Sequence, residues 1–416
     1  MEHEISRKNH SIQGPKGGEK MRTKGIFILV TGLILIILIS NPLWAQQGKL
    51  KVGLLAPMTR SPNSDWGKKQ VIGLEMAIEK VNRRGGIGGI PLEAVIIDTG
   101  GDPQQGVAAY RKMTGQDKVL VIIGPLFTSV CLDLFPVTNK EKTAVIATAS
   151  ADPGLSNLSK WPYAFRMTVT SDKKEAPVAK AWKSAYKIKK VVIFHEQEFA
   201  TWISLVNIIW PKIMSDLNIE ILNKEDPISF PKGQQNFMEH VQKAMAYKPD
   251  GICIAAFSED AGNLVKEIRR QGYHQPILGS SGVANPKIIE IAGDAVEDLW
   301  SVSLFYPEDP NPTVRNYVTE FSRRCKEKYP AMNCDPEQYD VVAHDILLFV
   351  ADIMKKKRIT GEPRRLQEER DKIREGLANM GIWRGTAGMM AFDKKGDGIR
   401  TVHILKVKDG RWQPAY

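Results

Sequence analysis

Signatures of catalysis and metal binding are scarce in this chain of 416 residues. Four cysteines, Cys131, Cys253, Cys325 and Cys334, are too few for a disulfide-built scaffold and lack the CxxC spacing of a zinc site. No GxSxG stretch occurs, which argues against the hydrolase arrangement of a nucleophile beside its base. His195 has Glu196 beside it on a strand, where neighbours face opposite ways, and His344 lies inside a helical apolar pattern, so both are expected to pack. Charge of one sign is not concentrated either. Without residues 1–45, which hold six Lys/Arg and three Asp/Glu, the balance is 52 to 44, a net charge of +8. Basic runs such as "KSAYKIKK" and "RRLQEERDK" have acids nearby, as solvated helix faces do, and no nucleic-acid partner is expected. No enzyme activity, cofactor or resident metal is expected.

The richest glycine stretch, "NRRGGIGGIPLE" at 82–93, poses the question of a phosphate cradle. Such a loop follows a strand and opens a helix. Here the preceding stretch has Val71, Leu74, Ile78 and Val81 at helical spacing, and no GKS or GKT follows. The glycines are therefore expected to end a helix, with Gly85 and Gly86 taking the left-handed backbone.

The segment from Met21 has a basic start, an uncharged run from Gly25 to Ser40, a helix-breaking Pro42 and a small residue at Ala45. This is the plan of a secretory signal cleaved before Gln46, with an uncleaved anchor through residues 25–40 as the alternative. Either way the remainder is expected outside the cytoplasm, periplasmic or otherwise exported. On that oxidising route Cys325 and Cys334, flanking the short stretch "KEKYPAMN", are expected to bond to each other. Cys131 and Cys253 lie in apolar runs and are expected in the core.

From Lys49 onward the chain is long enough for two ordinary domains. "KVGLLAP", "LEAVIID", "VLVIIGP" and "TAVIATAS" read as buried parallel strands with helices around 66–84, 103–116 and 129–141 between them. The pattern starts again with "KKVVIFHE", "IEILNKEDPIS", "GICIAAF" and "PILGSS". The fold class is therefore α/β, two similar doubly wound lobes. The later helices and a hairpin turning at Asp409-Gly410 have no sheet of their own, so the chain must cross between lobes more than once.

Ligands of open α/β sheets sit beyond the carboxyl ends of strands. That rule selects Trp66, Thr128, Ser129, Ser150 and Asp152 in the first lobe, and Glu196, Phe199, Phe257, Glu259, Ser280 and Ser281 in the second. Thr128 and Ser129 stand at a helix start, where a hydroxyl and free N–H groups can hold a carboxylate or simply cap the helix. "DKKGDG" at 393–398 hints at a calcium loop but lacks its closing glutamate, and reads as a turn.

Taken in order, "KVGLLAPMT", "GLEMAIEKVNRRGGIGGIPLEAVIIDTGGDP", "IIGP" followed by "TS", "GSSGVANP" and "WRGTAGMMAFDKKGDG" resemble the branched-chain amino acid type of periplasmic solute-binding protein, the receptor of an ABC importer. The resemblance covers almost everything from residue 49. It implies two Rossmann-like lobes joined by three crossovers, the type I periplasmic binding fold, with lobe 1 from 49–168 and 301–388 and lobe 2 from 169–300 and 389–416. It also implies a monomeric receptor that hands a small molecule to a membrane permease by hinge closure; a membrane-tethered sensor on the same module is the alternative. The family's carboxylate-binding Ser/Thr pair falls on Thr128 and Ser129, its first-lobe aromatic on Trp66, and its second-lobe aromatics on Phe199 and Phe257. Three positions depart from the pattern. The acid that pairs with a ligand ammonium falls on Ser281, the hydroxyl residue that holds both ends of an amino acid falls on Ala151 beside Ser150, and a tyrosine-glycine pair becomes Phe199-Ala200. The expected ligand is amino-acid-like or a carboxylate on an apolar or aromatic body, and need not be an α-amino acid.

Overall fold

The computed structural model describes residues 14, 48–61 and 63–416. The signal-like segment, its cleavage point at Ala45 and the anchor alternative at 25–40 lie outside the described residues. Among the described residues no helix is long and apolar enough to cross a membrane.

The first lobe begins with β1 (Leu50–Ala56), α1 (Ser64–Arg83), β2 (Leu92–Asp98), α2 (Pro103–Gly115), β3 (Ile122–Ile123), α3 (Thr128–Glu141), β4 (Val145–Ala147) and β5 (Ala164–Arg166). Strands apolar on both faces, such as LKVGLLA in β1, can be buried only between layers of helices. They pair in parallel in the order β2-β1-β3-β4-β5. α1 stops where the glycines allow: Gly85 and Gly86 have φ of 88° and 68°, and the Gly86 N–H donates back to the Val81 carbonyl.

The second lobe repeats this plan. α4 (Ser171–Tyr186) leads into β6 (Lys190–Glu196); α5 (Ala200–Ser204) runs through a π-helical stretch (Leu205–Ile209) into α6 (Trp210–Asp216). Then come β7 (Glu220–Ile221), β8 (Ile228–Phe230), α7 (Met238–Ala246), β9 (Gly251–Ala255), α8 (Ser258–Arg270), β10 (Ile277–Gly279), α9 (Lys287–Ala292) and β11 (Leu299–Ser303). From β7 the order is β7-β6-β9-β10-β11, the same winding as the first sheet. "IEILNKEDPIS", expected as one strand, is two. The buried Asn223 amide bonds both the N–H and the C=O of Ile193, each at 2.9 Å, and so replaces the ladder between β7 and β8.

The C-terminal third returns to both lobes. α10 (Pro312–Lys328), α11 (Gln338–Lys356) and α12 (Leu366–Ala378) are followed by a small sheet of β12 (Trp383–Gly385), β13 (Gly388–Phe392) and β14 (Gly398–Arg400). The hairpin of β15 (His403–Lys408) and β16 (Arg411–Pro414) then adds antiparallel to β11 at the edge of the second sheet. The lobes change hands later than expected. β11 stays in the second sheet to Ser303 rather than ending at 300. Met390 lies in the first-lobe core and Phe392 packs 5.1 Å from Phe165, so the last return follows residue 400 rather than 388. The chain passes between lobes three times: after β5, after β11 and after β14.

Cys325 and Cys334 are bonded, with Cα atoms 5.5 Å apart, and close the turn after α10. Cys131 and Cys253 are free and buried, and burial pushes the Cys131 thiol up to about 12. A loop of nine residues' separation gives about 2 to 3 kcal/mol of chain-entropy stabilisation. Cys325→Ser with Cys334→Ser is expected to lose up to that much in urea unfolding. An unchanged midpoint with and without reductant would contradict it.

Candidate ligand-binding site

A strand order of 2-1-3-4-5 reverses direction once, and the crevice beyond that reversal is where helices leave in opposite senses and a ligand finds room. The reversal lies between β1 and β3 in the first lobe and between β6 and β9 in the second. Trp66 and Thr128 stand beyond the first pair; Phe199 and Phe257 stand beyond the second. The two crevices face each other. Trp66 meets Phe257 across the seam with ring centroids 5.2 Å apart, and Phe127 meets Phe199 at 6.1 Å.

Local structure explains why each ring is there. Gly67 follows Trp66 and lies hard against the Pro57 backbone, where a Cβ would collide, so the first turn of α1 sits directly on the end of β1. α11 opens with a capping box: the Glu337 N–H donates to Asp340 at 2.6 Å, and the Glu337 carboxylate holds the backbone three residues on. Lys69 of α1 donates to Glu337 and, at 2.8 Å, to the Asp335 carbonyl, which fixes α11 against α1. Tyr339 in the first turn of α11 is thereby placed 4.4 Å from Trp66. Phe257 is boxed by Phe199 at 4.8 Å and Trp202 at 5.2 Å.

Together these rings wall a small cavity, about 40 Å³, between the lobes. Of the residues expected here, Trp66, Thr128, Ala151, Phe199, Phe257 and Ser281 line it, as does Phe127. Others do not. Ser129 is exposed, because on a helix it points a hundred degrees away from Thr128. Ser150 is buried behind the wall, its hydroxyl 2.9 Å from that of Thr128. Ser280 is turned to the Ala256 carbonyl, Asp152 caps the Gly154 N–H at 2.8 Å, and Glu259 is exposed. Asp393 accepts from the backbone of its own turn, which leaves the 393–398 stretch a turn with its carboxylates in use.

Several residues that line or support the cavity were not singled out from the sequence: Lys174, Tyr339, Trp202 and Arg166. Lys174 and Glu175 lie within the buried stripe of α4, which runs Ser171, Lys174, Glu175, Val178, Ala179, Trp182. Extending that helical stripe back from Val178, Ala179 and Trp182 would have placed both charged residues inside. Lys174 is 6% exposed and donates to Ser281 Oγ at 2.7 Å. Burial lowers its pKa, as do the Arg400 and Arg166 charges, against the pull of Glu175. Burial pushes Glu175 up to about 7 despite Lys174 beside it, and its Oε1 accepts the Ser281 N–H at 3.3 Å.

Arg166 ends β5 wholly buried. Its Nε donates to Asp397 at 2.5 Å, and its Nη1 donates to the carbonyls of Ser150, at 3.2 Å, and Asp152. One guanidinium therefore holds both the loop that presents Ala151 to the cavity and the turn that leads to the last lobe crossing.

Glu196 lies outside the lining, buried at the end of β6, and its Oε2 has no partner. Burial pushes its carboxyl up to about 7 against the pull of Lys232, and Asp260 adds to the rise. With its folded pKa above the ordinary 4.5, the folded state holds a proton that the unfolded chain releases, so stability is lost as pH rises through that window. Glu196→Gln is expected to raise the melting temperature at about pH 8, with the gain shrinking toward about pH 4.5. A lower melting temperature at the alkaline end would contradict this.

Known proteins share this architecture. The family model described as periplasmic binding protein matches residues 49–411. The chain is 26% identical over 352 residues to the leucine-, isoleucine-, valine-, threonine- and alanine-binding protein of Pseudomonas aeruginosa, spanning 84% of this chain and 87% of that one. Among solved structures, a leucine-binding protein from Thermotoga maritima superposes with a TM-score of 0.72 at 24% identity, covering 88% of this chain and 98% of that one. A solute-binding protein of an ABC transporter from Rhodopseudomonas palustris, in complex with 3,4-dihydroxybenzoic acid, superposes with a TM-score of 0.72 at 20% identity, over 88% and 95% of the two chains.

Proposed function

Because the chain belongs to the periplasmic binding protein family, we propose that it is the extracytoplasmic receptor of an ABC importer, which captures a small organic molecule between its lobes and delivers it to a membrane permease. The observation that carries this reading is the aromatic chamber, half from each lobe, at the two facing strand reversals. Each lobe alone offers only an open crevice. A ligand that touches Trp66 and Thr128 on one side and Phe199 and Phe257 on the other gains its second set of contacts only in the closed form, and that differential is what drives a hinge. Three short passes between the lobes, without a long linker, suit a hinge of restricted direction. Both walls come from one chain, so a monomer suffices. Amino acids and arylcarboxylates, named for the relatives, are the two ligand classes that such a chamber can enclose.

The test is native mass spectrometry of protein purified without refolding, together with small-angle scattering before and after removal of what co-purifies. One small organic molecule per chain, and expansion when it is removed, are expected. No bound molecule, with the same dimensions throughout a screen of organic acids and amino acids, would overturn the reading.

A further inference from the structure

The charged inventory of the chamber is one-sided. The one charged side chain on its lining is Lys174, and no carboxylate lines it. The ammonium of Lys174 has three donors, of which one is used, toward Ser281 Oγ. Among the described residues no ion pair within 4.0 Å includes it. Trp202, also on the lining, keeps a buried indole N–H with no acceptor. The surroundings sharpen the imbalance. Every charged group that acts on Lys174 is buried: Arg166, Arg400 and Glu175. Arg166 is neutralised by Asp397, whereas Arg400 donates only to the carbonyls of Met167 and Leu304, at 3.4 and 3.2 Å. Glu175 accepts the N–H of the lining residue Ser281 through Oε1 and keeps a buried Oε2 without a partner, but it stands behind the lining rather than on it. The result is an aromatic chamber whose lining carries spare donors, one positive charge and no carboxylate.

Resting on the receptor reading above, we infer that Lys174 is the residue that selects the ligand by charge: it receives an anionic oxygen of the ligand, and it restricts the site to carboxylates on an aromatic or apolar body that carry no amino group. An α-amino acid would bring its ammonium into a buried space beside a like charge, without a carboxylate on the lining to meet it, which is the costly arrangement for a desolvated ion. A carboxylate alone restores balance: it pairs with Lys174 in a charge-assisted hydrogen bond and leaves the rings free to stack on its body.

The test is calorimetric titration of ligand-stripped protein with phenylacetate, 4-hydroxybenzoate and phenylpyruvate beside phenylalanine and leucine. Binding of at least one acid, with none of the amino acids, is expected. For that acid, Lys174→Met should weaken binding about 10- to 100-fold, the range of a lost hydrogen bond to a charged group, while Lys174→Arg keeps most of the affinity. Ligand-free Lys174→Met should melt no lower than the unaltered protein, because an unpaired buried cation has been removed, which separates a selecting role from a structural one. Phenylalanine or leucine binding more tightly than the acids, or an unchanged affinity in Lys174→Met, would overturn the inference and leave the receptor reading standing. Silence from all five compounds, with no change in the dimensions of the protein, would overturn both.

Discussion

Replacing Arg166 with methionine is expected to cost about 3 to 5 kcal/mol of folding stability, the usual cost of removing one member of a buried ion pair. The reason is what remains. Asp397 is 3% exposed and would keep a charge without its guanidinium, while the carbonyls of Ser150 and Asp152 would lose their donor. The loss should extend beyond stability, since the same side chain fixes the loop that carries Ala151 to the chamber. Arg166→Met with Asp397→Leu should recover much of the stability, because an apolar pair carries no desolvation penalty. Ligand affinity should not recover with it. Urea unfolding of the two variants checks the first part. A single variant as stable as the parent, or a double variant no better than the single, would contradict it.

Trp66→Ala is expected to weaken ligand binding by about 1.5 to 3 kcal/mol, roughly ten- to hundredfold in Kd, while leaving the ligand-free melting temperature nearly unchanged. Trp66 is only partly buried, and it touches Tyr339 and Phe257 at the seam rather than filling the core of either lobe. Its removal therefore takes away a wall of the closed form and little of the folded lobes. Phe257→Ala is the informative comparison. That ring is 4% exposed and belongs to the second-lobe core, so its loss should lower both affinity and stability. Calorimetric titration and thermal melts of the two variants separate the effects. A large stability loss in Trp66→Ala, with affinity intact, would show that the ring is structural.

Much of the fold was readable because strands buried on both faces leave uninterrupted apolar runs, as in Leu50–Ala56 and Gly251–Ala255, and no other class of element fits them so well. The stop of α1 was readable because only glycine takes the backbone that Gly85 and Gly86 adopt without strain. What escaped was tertiary. Nothing local in "IEILNKEDPIS" says that Asn223 will bond the backbone of Ile193, thirty residues earlier. The exchange of lobes after residue 400 depends on Met390 and Phe392 finding the first core, which the hairpin-like local pattern does not reveal.

The chamber shows the same division. Aromatics beyond strand ends were found by topology, because Phe199 and Phe257 follow closely on β6 and β9, and Trp66 stands in the first turn of the helix that follows β1. Lys174 was hidden by its own charge, since "SDKKEAP" reads as a solvated helix start unless the stripe of Val178, Ala179 and Trp182 is extended through it. Tyr339 was hidden by distance: it reaches Trp66 only because Lys69 and Glu337 dock α11 on α1 from the far end of the chain. Ser129 was chosen as a pair with Thr128, but successive residues of a helix point about a hundred degrees apart, so only Thr128 faces the chamber.

A crystal structure of the protein loaded with whatever it retains on purification tests the central claim most directly. Density for one small organic molecule is expected between Thr128 and Lys174 on one axis and Trp66 and Phe257 on the other, with an oxygen within hydrogen-bond distance of Lys174 Nζ. A molecule seated elsewhere, or one that turns a positive group toward Lys174, would contradict it.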